Sequence, residues 1–112
     1  MMELGGNITL VGFKVLDEGE LIVVKKMVGG YARKFSDLES GFERLTVTLK
    51  PIHKHEGGGE KFELDARALI NGTPFVSEIV DRNLFVGLDS VLSKVSLMVE
   101  KHLDKQKDKD RL

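Results

Sequence analysis

The sequence predicts an α+β fold: a two-layer sandwich of order β-α-β-β-β-α, with two helices packed on one face of a four-stranded sheet. Three observations predict it. Residues 83–102 (NLFVGLDSVLSKVSLMVEKH) repeat apolar side chains at helical steps, through Leu84, Leu88, Val91, Leu92, Val95 and Val99. Leu21, Val24, Val28, Tyr31 and Phe35 make a second stripe at the same spacing. Residues 43–50 (ERLTVTLK) and 62–70 alternate apolar with polar side chains, as strands with one covered and one wet face do. Burial stabilises by roughly 1.5–3 kcal/mol per large aliphatic side chain, so stripes this continuous need a sheet to lie on. Two single-striped helices on a one-sided sheet make two layers.

Taken in order, residues 7–13 (NITLVGF) are rich in β-formers and predict the first strand. Asp17 then supplies an N-cap, with Glu18 and Glu20 in the first turn where the helix dipole favours negative charge. The first helix is expected over residues 18–36. Gly29-Gly30 interrupts its propensity at a cost of roughly 1–2 kcal/mol, and either bends the helix or lets something approach its backbone.

After a turn at residues 37–41, the second strand places Leu45, Val47 and Leu49 on one face. Pro51 and residues 53–60 (HKHEGGGE) form a connection whose three glycines hold no regular structure cheaply. The third strand turns Phe62, Leu64, Ala66, Ala68 and Ile70 inward, and Glu63, Asp65 and Arg67 outward. Asn71-Gly72 is the dipeptide of two-residue hairpin turns. Residues 73–80 (TPFVSEIV) are the fourth strand, with Pro74 near its start, where a missing donor does least harm. Asn83, or Asp81 before it, caps the last helix. Residues 1–105 form one domain, and the polar tail 106–112 is expected to fray.

With 112 residues the chain buries about two-thirds of its unfolded surface without staples. The absence of cysteine excludes disulfides and thiolate metal sites. No apolar run is long enough to cross a bilayer, and the N-terminus lacks a basic region followed by an apolar core. A cytoplasmic protein is the default expectation. Seventeen basic residues against 18 acidic ones give a net charge of −1, so any nucleic-acid binding must rest on a local patch.

No enzyme is expected. The chain has no cysteine nucleophile, no G-x-S-x-G elbow, no phosphate loop ending in G-K and no H-E-x-x-H. Glu63 and Asp65 alternate onto a solvent face with no pocket implied around them. No cofactor or small-molecule substrate is called for.

The element order, with particular residues, resembles the ribosome hibernation-promoting factor and ribosome-associated inhibitor family. Residues 83–102 are similar to that family's last helix: a polar cap, an aromatic, small residues, the Leu88-Asp89 step, then a Lys-bearing amphipathic run. Residues 31–37 (YARKFSD) resemble its segment ending in a basic pair, Phe and Asp. The likeness covers roughly residues 7–105. It implies a cytoplasmic, non-enzymatic factor of the short form. Such proteins bind ribosomal RNA in the small-subunit channel that messenger and transfer RNA would occupy, and hold idle ribosomes silent.

For such a role, affinity comes from Lys and Arg neutralising phosphates. Helical steps place Lys26 and Arg33 opposite the first helix's stripe, with Gly30 between them and Lys34 beside. Lys94 and Lys101 occupy the outer face of the last helix, with Lys105 one turn further. These six are the candidate RNA-binding residues, expected as two basic ridges on adjacent helices. The bland reading is a solvated helix face. Val86 and Leu97 share the outer face of the last helix and favour contact with another protein or a second copy of the chain, a homodimer. His53 and His55 could ligate a metal, but on a loop followed by three glycines a solvated segment is the better reading. Two other classes compete: an interaction module of the same fold without RNA binding, and a double-stranded-RNA-binding domain. Arg82-Asn83-Leu84 carries one charge at the helix start where the latter needs a basic cluster.

Overall fold

A computed structural model describes residues 1–52 and 60–110 of the chain. It is an α+β fold with two helices and a five-stranded mixed sheet. The strands are β1 (Met2–Leu4), β2 (Ile8–Val11), β3 (Phe42–Ile52), β4 (Lys61–Ile70) and β5 (Thr73–Asp81). The helices are α1 (Glu18–Leu38) and α2 (Leu84–Asp110). In the sheet the strands follow sequence order, β1-β2-β3-β4-β5, with only β2 and β3 parallel.

The expected four strands and β-α-β-β-β-α order therefore need correction. An additional strand, β1, precedes them and pairs antiparallel with β2, Met2 against Leu10 and Leu4 against Ile8. Gly5 and Gly6 turn the chain with φ of 62° and 83°. A three-residue strand is too short to show an alternation, so only its glycine turn is visible in sequence.

The strand predicted over residues 7–13 is also shorter. β2 stops at Val11 because Gly12 adopts φ 83°, and a Cβ there would run into the Leu49 carbonyl of β3. A single 3-10 turn, Phe13–Val15, follows and buries Phe13 in the core. β3 in turn runs past Lys50 through Pro51, which pairs with Phe62. This is allowed because β2 pairs with β3 only as far as Thr48, leaving Pro51 at an edge where no donor is needed. Pro74 likewise sits on β5, the outermost strand.

α1 starts as its sequence predicts, with a complete capping box. The Glu20 N–H donates to Asp17 Oδ1 at 2.8 Å, and the Asp17 N–H donates to Glu20 Oε1 at 3.2 Å. α2 uses both proposed capping residues. Asn83 Oδ1 accepts from the N–H groups of Phe85 and Val86, while Asp81 Oδ1 accepts from the Asn83 N–H and orders the cap. At Asn71-Gly72, φ values of 50° and 76° match the expected tight hairpin turn, and Glu43 Oε2 accepts from the Gly72 N–H.

Both helical stripes face the same side of the sheet. Val24, Val28 and Phe35 of α1 and Leu88, Val91, Leu92 and Val95 of α2 are fully buried against Leu45, Val47, Leu64, Ala66 and Ala68. α2 lies over β4 and β5, α1 over β2 and β3, and the helices touch one another. Ala66 and Ala68 leave room for α2, and Gly87 tightens its first turn onto β4, where an added Cβ would lie 3.0 Å from Leu64 Cδ1. Residues 106–110, expected as the start of a polar tail, continue α2 as helix. Lys, Gln and Asp end the apolar stripe there without forbidding helical backbone.

Candidate nucleic-acid interface

Lys26, Arg33, Lys94, Lys101 and Lys105 are all exposed, and none makes an ion pair among the described residues. Lys34 differs. Its Nζ reaches across to Glu100 Oε1 on α2 at 3.3 Å, a half-exposed ion pair that ties the two helices together. One turn earlier the Tyr31 hydroxyl donates to Asp89 Oδ1 at 2.9 Å. The earlier α1 residue meets the earlier α2 residue and the later meets the later, so the helices run in the same sense.

Asp89 and Glu100 thus mark the flank of α2 that faces α1. At about 100° per residue, Lys94, Lys101 and Lys105 lie about 100–160° further round, on the flank turned away from α1. The α2 set therefore lies across the width of α2 from α1, whereas Lys26 and Lys34 of the α1 set stand at the helix–helix seam. There Lys26, Met27, Gly30, Tyr31, Lys34 and Asp89 line an open groove of about 420 Å³.

Tyr31 is half-buried beside the groove. Burial raises its pKa above the ordinary tyrosine value, because the phenolate would lose hydration. The hydrogen bond to Asp89 and the charge of that carboxylate push in the same direction, and a smaller contribution from a hydrogen bond with Ser93 opposes them. The hydroxyl is therefore a proton donor throughout the neutral range.

Gly29 and Gly30 do not break α1, which continues through both. A Cβ built on either would meet nothing within 4 Å. No packing among the described residues explains the pair, and Gly30 opens directly onto the groove.

Val86 and Leu97 stand out from α2 at 53% exposure each, and Met98 of the same helix is also exposed. Glu63 and Asp65 lie on the sheet face away from the helices, where Asp65 sits directly opposite Glu78. His53 and His55 lie outside the described residues. Among the described residues, no three His, Asp or Glu side chains gather closely enough to hold a metal ion.

Sequence reasoning misses the seam carboxylates. In the sequence Asp89 stands out only within the resembling motif, and Tyr31 reads as one more apolar residue of the α1 stripe. A tyrosine where phenylalanine would suffice is itself a signal, because a buried hydroxyl needs a partner. Compared with families of known proteins the chain matches none, and a comparison with curated proteins finds no match.

Proposed function

We propose that the chain is a non-enzymatic, ribosome-associated factor of the hibernation-promoting kind. In this reading it acts in the cytoplasm, binds small-subunit ribosomal RNA through its helical layer, and silences or stabilises idle ribosomes. One observation carries the reading. Among the described residues of the two helices, Lys25, Lys26, Arg33, Lys94, Lys101 and Lys105 are exposed and unpaired cations, against the exposed and unpaired carboxylates Glu18, Asp37 and Asp104, while Glu20, Asp89 and Glu100 are engaged in contacts within the chain. A net charge of −1 then coexists with a layer whose free charges favour phosphate. The resemblance of residues 83–102 to the family's last helix supplies the choice of target. No helix among the described residues is long and apolar enough to cross a membrane, which is compatible with this reading.

The test is co-sedimentation with small ribosomal subunits at low and then raised salt. Pelleting that falls with salt is expected, because each phosphate contact releases counterions. Reversing Lys26, Arg33, Lys94 and Lys101 to Glu should abolish it. Pelleting that survives all four reversals would overturn the choice of face.

A second reading keeps the fold as a protein-interaction or self-assembly module. Val86 and Leu97 favour it, as exposed apolar residues on one helix. It expects a stable dimer by light scattering and no salt-dependent RNA affinity. A monomer at high concentration counts against it.

A further inference from the structure

We infer that the α1–α2 groove at Gly30 is a seat for one unpaired nucleotide, so that the protein prefers single-stranded RNA to duplex. The inference rests on the RNA-binding reading above and specifies the form of RNA that the same surface takes.

It begins from the glycines. Two adjacent glycines inside an exposed helix cost roughly 0.5–1 kcal/mol each relative to alanine. Several other described glycines have a local cause: Gly12 approaches the Leu49 carbonyl, Gly41 abuts the Asn71 side chain, and Gly5, Gly6 and Gly72 adopt positive φ, whereas Gly19 in the first turn of α1 meets only an ordinary contact. Gly29 and Gly30 have none, since a Cβ on either meets open space. What the missing side chain at Gly30 provides is the depth of the groove.

The lining suits a nucleotide. Lys26 and Lys34 stand four residues either side of Gly30; Lys26 is unpaired among the described residues and is placed for a phosphate flanking an inserted unit, while Lys34 at the other end is held by Glu100. Tyr31 and Met27 offer an aromatic and a polarisable apolar surface for a base. Asp89 spends Oδ1 on the Tyr31 hydroxyl. No bond among the described residues uses its other oxygen, which is left to accept from an exocyclic amino group or a ribose 2′-hydroxyl. The groove offers about 420 Å³ and lies open to solvent. A duplex keeps its bases stacked and offers nothing to insert, whereas a single strand can splay one out.

Gly30→Leu is the direct test. Leucine is a better helix former than glycine and its Cβ is unobstructed, so the variant should melt no lower than the parent while filling the groove. Fluorescence anisotropy at low salt would compare labelled single-stranded RNA of mixed sequence with a duplex of the same length. For the parent, tighter binding of the single strand is expected. For Gly30→Leu, single-strand affinity should fall about tenfold, the scale of losing one base–aromatic contact. Gly30→Ala, adding one methyl group, should lower it in the same direction by a smaller factor.

Equal affinity of Gly30→Leu and the parent, or a parent that prefers duplex, would overturn the groove while leaving RNA binding in place. A parent that binds neither form would overturn both readings. Amide shifts at Gly29, Gly30 and Tyr31 of the unsubstituted protein, followed as the single strand is added, test the seat without any substitution. Shifts at these three residues are expected, and shifts confined to α2 would reject the seat.

Discussion

At the scale of single residues, glycines divide into those the fold requires and those it does not. Gly12 combines φ 83° with a backbone carbonyl in the place of its missing Cβ. Gly12→Ala must therefore separate β2 from β3 or distort the turn into Phe13, and should destabilise by about 2 kcal/mol or more. Gly29→Ala should do the reverse and stabilise by about 0.5–1 kcal/mol, since the helix is open there. Urea denaturation of the two variants separates the classes, and a destabilised Gly29→Ala would reveal a structural role for that glycine. Tyr31 gives a second residue-scale prediction, because it is the only tyrosine and the chain has no tryptophan. Its folded pKa is raised, by burial first and then by Asp89. The folded state thus holds the phenolic proton more tightly than the unfolded state. Its stabilising contribution is complete below the ordinary tyrosine pKa of about 10 and is lost as pH rises through the folded value. Ultraviolet titration of the phenolate should give a midpoint above that ordinary value in the folded protein. Asp89→Asn should lower the midpoint without restoring it fully, since burial remains. An unchanged midpoint would mean that Asp89 does not act on this hydroxyl in solution.

At the scale of elements, what is legible in the sequence is whatever repeats or caps. Asp17 and Glu20 announce the start of α1, Asn71-Gly72 the β4–β5 turn, and the stripe from Leu84 to Val99 the buried face of α2. β1 is not legible, because three residues carry no periodicity and its identity comes from pairing with β2. Nor is the seam between the helices. Helical phase says which face of each helix is wet, but which wet flank meets the neighbour depends on how the two lie on the sheet. That is why helical steps group Lys34 with Lys26 and Arg33 as a free cation, although it is paired to Glu100. The pair is half-exposed, so its own stability contribution is small, about 0–1 kcal/mol. Glu100→Gln should accordingly leave the unfolding midpoint nearly unchanged. If the helical layer binds RNA, freeing Lys34 adds one phosphate contact. The slope of log affinity against log salt should then steepen by about 0.7–0.9. Anisotropy titrations at several salt concentrations would measure it, and an unaltered slope would show that Lys34 does not reach the RNA.

At the scale of the whole molecule, the sandwich has two unlike outer surfaces. The helical layer carries free cations around a central groove, and the bare sheet face carries Thr46, Thr48, Glu63, Asp65, Arg67 and Glu78 in cross-strand rows. Asp65 and Glu78, directly opposite each other, repel, and a face with such a pair is ill-suited to phosphate. The overall charge in the sequence conceals this difference, because it sums over both surfaces and loses where each charge stands. Two multiple variants with equal change of charge can recover it. Lys94→Glu with Lys101→Glu alters only the helical layer. Lys50→Glu with Arg67→Glu alters only the sheet face, because these two alternate away from the core. Both change net charge by the same amount, so any long-range effect on an anionic partner is matched and only the local one differs. Ribosome co-sedimentation should fall sharply for the first pair and little for the second, with the gap narrowing as salt is raised. Equal losses would mean that net charge, not the helical surface, governs the association. A loss confined to the sheet-face pair would move the interface to the other layer and make the seam groove a feature of packing alone.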